Sequence, residues 1–409
     1  TPVPEAVKNI KVMNVNEVEK VASTVDFVFS AVDMTKEEIQ AIEEAYAKTE
    51  TPVVSNNSAH RWTPDVPMVI PEINPEHFEV IEAQKKRLGT TRGFIAVKPN
   101  CSIQSYVPAL NAWKEFEPYE CVITTYQAIS GAGKDFTSWP EMVENIIPYI
   151  GGEEEKSELE PLRIWGHVDM EEGGVVRAEE PKITCQCLRV PVLNGHTAAA
   201  FVKFRKKPTK EQLIEKLVNY KGFPQEADLP MAPKQFIEYF EEDNRPQVKA
   251  DVDRDKGMGI SIGRVREDGV YDYKFVGLSH NTVRGAAGGA ILCAETLKAN
   301  KAAVVEVNSE TDFVAKNELF QTFVANVANQ TLQSTLNGGK DGEDIEALLD
   351  EAYVEDNSRT LKDELVEKTA TIGEKLSIRR FEKVTGDTVV SYIHGGGRIG
   401  VLVAADGAS

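Results

Sequence analysis

Lys98 to Tyr106 read KPNCSIQSY, with Cys101 behind a Pro-Asn pair and ahead of a run able to open a helix. The strand-like GFIAVK, the turn and the helical stretch would set the sulfur at a helix N-terminus, where unpaired N–H groups and the helix dipole favour thiolate. On these local features Cys101 reads equally as a nucleophile or a buried thiol. A candidate base lies downstream: His196 in RVPVLNGHTAAAF sits where a strand meets a turn, with Arg189 seven residues earlier. A cysteine paired with a histidine can transfer a proton and attack an acyl carbon, and an arginine can hold a carboxylate through two hydrogen bonds. A lone histidine at a strand end is more often structural, so the chemistry rests on the ensemble.

The elements that must position these residues follow from pattern. Thr24 to Ser55 read as strand, helix, strand: VDFVFSAV is an apolar run of the buried parallel type, Thr35 and Glu38 form a capping box, Ile39, Ile42 and Tyr46 share a helix face, and PVVS follows. This is a βαβ unit of the kind that builds doubly wound sheets, whose usual Gly-rich turn follows a first strand. No such strand precedes residue 24. GGGRIG at Gly395 to Gly400 fits G-x-G-x-x-G but runs on into the strand VLVAADG, and GMGISIG at Gly257 to Gly263 has the wrong spacing; both read as turns or bulges.

From Glu117 to Val276 the pattern changes to long alternating strands, ECVITTYQAIS, KITCQCLRVPVLNGH, TAAAFVKFRKK and GVYDYKFVGLS, with helices between them, one opening at Thr209. The fold class is α/β plus α+β: a partial Rossmann-type parallel sheet, then a domain with a large, mostly antiparallel sheet. RGAAGGAILCAETLKA makes a closing helix with a small face suited to tight packing. After about Ala299 a smaller α+β module follows, with a strand AAVVEV, a helix over SETDFVAKNELFQTFVANVANQTL, an acidic polar stretch from Gly338 to Asp356, a second helix and three strands. This tail has no cysteine, and His394 is its single histidine, which favours a binding module over nucleophilic or metal chemistry.

The 409 residues carry a formal charge of −19 with no long basic block, which disfavours binding to nucleic acid. No apolar run approaches the roughly 20 residues that span a bilayer. The chain reads as cytoplasmic and as clipped at its front, opening on TPVPEAV. Five scattered cysteines argue against a disulfide framework. Cys185 and Cys187 share one strand face, and without two further ligands nearby they read as core rather than as zinc ligands; no metal site is expected.

KPNCSIQ, YQAISGAGK, the GGEEEK run, LRVPVLNGHT and LSHNTVRGAAGGAILCAE, in this order, closely resemble aspartate-semialdehyde dehydrogenases of the archaeal and fungal branch, over Thr1 to about Lys298. The resemblance implies a glyceraldehyde-3-phosphate-dehydrogenase-like catalytic domain and reductive dephosphorylation of 4-phospho-L-aspartate with NADPH, a step toward lysine, threonine and methionine. It makes Cys101 the nucleophile, His196 the acid/base group and Gln127 the residue that orients the intermediate. Arg189 would grip the substrate carboxylate, Arg61 and Asn100 the phosphate, and Glu153 with Lys156 the amine and phosphate; Glu160 with Arg163 has the same spacing. Ser30, Ala31, Ser130, Gly131 and Asn281 would contact NADP. A homo-oligomer, at least a dimer, is implied, and related enzymes with this catalytic set reduce other acyl groups such as malonyl-CoA. The implied divisions are 1–100, a partial NADP-binding domain; 101–277, catalysis and oligomerisation; 278–298, the closing helix; and 299–409.

One departure is expected to matter. The family's opening strand and G-x-x-G-x-x-G turn do not precede Thr1, so weak cofactor affinity, an unpaired sheet edge and exposed apolar surface are expected of the chain. The tail carries a second resemblance. VVEVNSETDFVAKNELFQTF, GEKLSIRRFEKV and SYIHGGGRIGVLVA are similar to the first core subdomain of elongation factor Ts, over about Lys301 to Ala408. It implies that Asp312 and Phe313 are pushed into elongation factor Tu and that His394 lies in the contact surface. The alternative for Phe313 is an ordinary core residue.

Overall fold

The βαβ pattern near the front folds as β1 (Val28–Ser30), α1 (Lys36–Lys48) and β2 (Val53–Ser55), and GFIAVK supplies β3 (Ile95–Val97). In this computed structural model residues 7–298, 301–334, 336–354, 356–385, 388–394 and 399–405 are described. The strands lie parallel in the order β1-β2-β3, with Ser30, Ser55 and Val97 level at their C-terminal ends. Thr35 and Glu38 close the expected capping box, and Ile39 and Tyr46 are buried. Two expectations meet here with opposite outcomes. VDFVFSAV is not buried on both faces, since Phe27 and Phe29 are 41% and 45% exposed; β1 is the edge of the sheet among the described residues, so nothing described covers that side.

Residues Thr1–Leu297 form one compact unit and Lys298–Ser409 a second. Within the first, a six-stranded sheet is built from β4 (Pro118–Gln127), β5 (Lys182–Arg189), β6 (His196–Phe204), β7 (Ile237–Phe240), β8 (Ile260–Glu267) and β9 (Tyr273–Ser279). Its order is β5-β4-β6-β9-β8-β7, antiparallel at β4/β6, β6/β9 and β9/β8 and parallel at β4/β5 and β7/β8. Successive side chains alternate between faces, and one face is core: Cys121, Ile123 and Thr125 of β4, Cys185 and Cys187 of β5, and Ala198, Ala200, Val202 and Phe204 of β6 are all buried. Trp113 fills the space over this face, edge-on to Phe204 and Phe275 at 6.1 and 5.0 Å between centroids. Cys185 and Cys187 sit in this core with sulfurs 3.7 Å apart.

The same period places the site. Gln127, Arg189 and His196 continue the buried face to one edge of the sheet: Gln127 ends β4, Arg189 pairs with it at the end of β5, and His196 begins antiparallel β6. The run KITCQCLRVPVLNGH is therefore not one strand; it breaks after Arg189, and the turn through Gly195, at φ 101°, lets the chain return. Helix α2 (Glu153–Ile164) starts from Gly152 in the left-handed region and carries three glutamates in its first turn, the end where negative charge is favoured. A π-helical turn, Val283–Ala287, leads into α3 (Gly288–Lys298).

The second unit pairs β10 (Lys301–Asn308) antiparallel with β11 (Ser377–Thr385). Helices α4 (Glu318–Gln333) and α5 (Leu361–Ile372) and a hairpin of β12 (Thr388–His394) and β13 (Ile399–Ala405) complete it. Phe320, Phe323, Val327, Leu361, Ile378 and Phe381 are its core. The stretch Gly338 to Asp356 is not merely polar. Its Leu348, Leu349 and Tyr353 join that core, the two leucines from a one-turn helix, Ile345–Leu349, and Tyr353 from the short strand Ala352–Tyr353.

Candidate active site

Asn100 sets the nucleophile's backbone. Its Oδ1 accepts from the N–H and hydroxyl of Ser102, each at 2.7 Å, a side-chain turn that Asn adopts readily after proline. Its backbone N–H donates to Glu160 Oε2 at 2.6 Å, and its Nδ2 donates to both Glu153 oxygens at 2.9 and 3.0 Å. Cys101 follows, half-buried, as the cap of a four-residue 3₁₀ turn, Ser102–Ser105. This corrects the expectation of a thiolate made by a helix N-terminus: the helix is a single tight turn, and burial raises the Cys101 thiol above its ordinary value, opposed first by the charge of Lys98.

Cys101 Sγ lies 3.4 Å from His196 Nε2, although 95 residues separate them. The other ring nitrogen, Nδ1, accepts the backbone N–H of Ala128 at 3.0 Å. A nitrogen that accepts an N–H carries no proton, so the neutral ring holds its hydrogen on Nε2, facing the sulfur. Burial, and then Arg189, push the His196 pKa down to about 3, so the ring is neutral at physiological pH. His196 thus meets Cys101 as a hydrogen-bond donor. The carbonyl of the same Ala128 accepts from Arg189 Nη1 at 2.6 Å, so the backbone of one residue orients both side chains.

Gln127 Nε2 donates to Thr125 Oγ1 at 3.2 Å and to Glu153 Oε2 at 3.3 Å. Lys156 Nζ is 3.0 Å from Glu153 Oε1, and its side chain is 30% exposed. Burial would raise the Glu153 carboxyl, but Lys156, Asn100 and Gln127 outweigh it and hold the group below its ordinary value. The pair with equal spacing goes elsewhere. Glu160 is sealed against Arg61 at 2.9 Å, and Arg163 donates to the carbonyls of Thr63, Pro64 and Val66. Arg61, expected at a phosphate, is in this structure a buried partner of Glu160 whose remaining nitrogens reach the carbonyls of Lys98 and Asn56.

Gly131 lies against the same cluster: a β-carbon there would stand 2.9 Å from Arg189 Nη1 and 3.2 Å from His196 Cε1. Asn281 is buried and tied at both ends, accepting from Gly195 N–H at 2.8 Å and donating to Ser130 Oγ at 2.9 Å. Ser30 and Ala31 stand apart from the sulfur's immediate neighbours, at the C-terminal end of β1, where the Ser30 hydroxyl accepts from Asn57. That edge is where open parallel sheets hold ligands. The cluster around Cys101 therefore assembles Asn100, Gln127, Glu153, Lys156, Arg189 and His196. Sequence reasoning left out Lys98, buried with its Nζ 2.6 Å from the Pro99 carbonyl, and Gly285, where a β-carbon would fall 2.5 Å from Cys101 Cβ. The glycines of RGAAGG were the available signal for such a close approach.

In the second unit Phe313 is 82% exposed beside exposed Asp312, so the core reading of Phe313 is excluded. His394 lies in β12 opposite Ile399, but its side chain lies outside the described residues, as do residues 395–398 of GGGRIG. Among the described residues no three His, Cys, Asp or Glu side chains gather to hold a metal, and no helix is long and apolar enough to cross a membrane.

Comparison with known proteins agrees with this division. Residues 1–81 match the family model for the NAD binding domain of semialdehyde dehydrogenase, and 110–284 match its dimerisation domain. Residues 310–409 match elongation factor TS. An aspartate-semialdehyde dehydrogenase of Methanothermobacter thermautotrophicus is 38% identical over 72% of this chain and 83% of its own length. That of Candida albicans is 41% identical over 67% of this chain and 78% of its own. The crystal structure of the Candida albicans enzyme with NADP superposes with a TM-score of 0.66 at 37% identity, covering 73% of this chain and 84% of that one.

Proposed function

Because the chain belongs to the aspartate-semialdehyde dehydrogenase family, we propose that it reduces 4-phospho-L-aspartate to the semialdehyde through a thioester on Cys101, with NADP as its dinucleotide. The observation that carries this reading is the 3.4 Å approach of Cys101 to His196 within a cluster that also holds Gln127, Glu153 and Arg189. The Cys101 thiolate attacks the acyl carbon, the carbon–oxygen bond to phosphate breaks, and a thioester forms. Arg189 holds the α-carboxylate and Glu153 the ammonium group. Lys156 is the exposed cation for the phosphate, with Asn100 and Arg61 bordering that end. Gln127 orients the acyl group.

The residues present fit the reactive end of a dinucleotide. Gly131 leaves open the space a side chain would take over His196, and Ser130 and Asn281 offer a hydroxyl and an amide beside it, with Ser30 and Ala31 at the neighbouring sheet edge. When bound, NADPH supplies the hydride that the thioester carbon accepts. The oxyanion left on the acyl oxygen is met by the Nε2–H of neutral His196, as a neutral imidazole polarises a carbonyl. Breaking the carbon–sulfur bond then releases aldehyde and returns thiolate, so this direction needs no proton on sulfur at any step.

Cys101→Ser tests the reading in the phosphate-dependent reduction of NADP by aspartate semialdehyde. Turnover should disappear with the circular dichroism spectrum unchanged; a variant as active as the parent would refute the assignment. The divisions 1–100, 101–277 and 278–298 serve this activity as nucleotide-binding, catalytic and closing segments in a homo-oligomer. A second reading concerns 299–409 alone: exposed Phe313 beside Asp312 supports a module that docks on elongation factor Tu.

A further inference from the structure

One buried carboxylate of the first unit has no part in the chemistry above. Glu43, on α1, is 2% exposed, and its Oε1 accepts from the Ser55 hydroxyl at 2.6 Å and from Asn57 Nδ2 at 3.2 Å. The shorter of these has the length of a charge-assisted O–H···O⁻ bond. Its Oε2 has no donor among the described residues. Ile39, Tyr46 and Ala47 already bury the rest of that helix face, so a carboxylate, costly to take out of water, is not there for packing.

The donors it collects fix a sequence of proton directions. A carboxylate only accepts, so Asn57 must turn its amide nitrogen toward Glu43, and the Ser55 hydroxyl must give its single proton there. Ser55 Oγ is then left to accept, which it does from the Asn57 backbone N–H at 3.0 Å. The Asn57 amide nitrogen donates a second time, to Ser30 Oγ at 3.0 Å. Ser30 thus receives one proton and keeps its own, for which no acceptor lies among the described residues. It ends β1 level with Ser55 on β2, and the Asn56 N–H ties the two strand ends by donating to the Ser30 carbonyl at 2.9 Å. Ser30 also lines a groove of about 650 Å³ with Val28, Phe29, Val32 and Ile42, so an acceptor has room beside it.

We propose that Glu43 is a positioning residue for the dinucleotide: through Asn57 it leaves the Ser30 hydroxyl with a proton to donate, at the carboxyl edge of the sheet, to an acceptor oxygen of that ligand. The inference rests on the nucleotide reading above and extends it to a buried residue that touches no ligand. Glu43 acts at the start of the chain of donors and Ser30 at its end.

The test is titration of the full chain with NADPH, followed by nicotinamide fluorescence with no substrate present, so dehydrogenase turnover does not enter. Glu43→Met and Ser30→Ala should each raise the dissociation constant at least about tenfold, the scale of one hydrogen bond to a charged partner. Glu43→Gln, whose amide oxygen can take the place of Oε1, should stay within about threefold of the parent. The double variant should bind no more than about threefold worse than the weaker single one, because a residue that works through Ser30 has nothing left to act on; independent effects would multiply to about a hundredfold. Should Glu43→Met fail to fold, Asn57→Ala, at a half-buried position, breaks the same link and carries the same expected loss. A parent chain that binds no NADPH takes away the nucleotide reading and this proposal together. Unchanged binding in Glu43→Met, a Glu43→Gln as weak as Glu43→Met, or losses that multiply in the double variant overturn this proposal alone.

Discussion

Arg61 Nη1 donates to Glu160 Oε1 across 2.9 Å in the interior, while the second carboxylate oxygen accepts the backbone N–H of Asn100, one residue before the nucleophile. One buried carboxylate thus fixes both a cation and the loop that aims Cys101. Removing one partner of such a pair strands the other charge and costs about 3–5 kcal/mol. Glu160→Ala is expected to lose stability on that scale in urea denaturation, with Glu160→Gln losing less because its single amide oxygen still accepts from one of the two donors. A loss under about 1 kcal/mol for the alanine variant would mean that the pair is solvated.

Gly285 determines how near the closing helix comes to the sulfur. A methyl group there would stand 2.5 Å from Cys101 Cβ, far inside contact distance, so the helix or the nucleophile must move. Overpacking of this kind costs about 1–3 kcal/mol, and a displacement near 1 Å at a reacting group costs about a hundredfold in rate. Gly285→Ala should therefore lower kcat by at least tenfold while the chain still melts cooperatively. An unchanged kcat would show that the close approach has no bearing on catalysis.

How much of this was legible can be argued from particular residues. The strand period of two is a local signal for the faces of Arg189 and His196, whereas Gln127 was reached through the resemblance and the meeting of all three at one end of the sheet depends on pairing between β4, β5 and β6. The Pro-Asn turn before Cys101 was equally readable. Glu153-x-x-Lys156 and Glu160-x-x-Arg163 could not be told apart by spacing, because both lie on the same face of α2. What separates them is depth, with Glu153 at the helix mouth and Glu160 two turns in, and depth depends on packing across 99 residues to Arg61. The burial of Lys98 and the direction in which the Cys101 thiol titrates were hidden for the same reason. Helix-dipole reasoning favoured thiolate, whereas burial, a property of the folded whole, prevails. The exposure of Phe27 and Phe29 departs from the buried reading of VDFVFSAV and agrees with the unpaired edge expected from the resemblance, since β1 has no described neighbour on its outer side.

Phe313 presents an 82% exposed ring. An aromatic that contributes little to its own unit is either incidental or an anchor for a partner. Phe313→Ala should leave the unfolding of the second unit within about 0.5 kcal/mol of the parent, as exposed substitutions do. Capture of purified elongation factor Tu by the immobilised chain should fall at least tenfold. Equal capture by both chains would remove Phe313 from the contact surface.

The neutrality of His196 has a consequence for stability that can be separated from catalysis. Burial lowers its pKa to about 3 in the folded chain, whereas an unfolded histidine titrates near 6.5. Between these values the unfolded chain binds a proton that the folded chain refuses, so stability falls as pH is lowered through that window and is fully present above it. The greatest slope from one such group is about 1.4 kcal/mol per pH unit. His77, lowered to about 4 chiefly by burial, adds a term of the same sign, so the comparison must be a difference between two chains. Urea denaturation of the parent and of His196→Asn, which retains an acceptor for the Ala128 N–H, should diverge between pH 6 and pH 4. The parent should lose about 1 kcal/mol per pH unit more than the variant, and the two slopes should agree above pH 7. Parallel curves across the whole range would mean that the ring is protonated in the folded state, and the neutral-donor role of His196 toward the sulfur would fall with them.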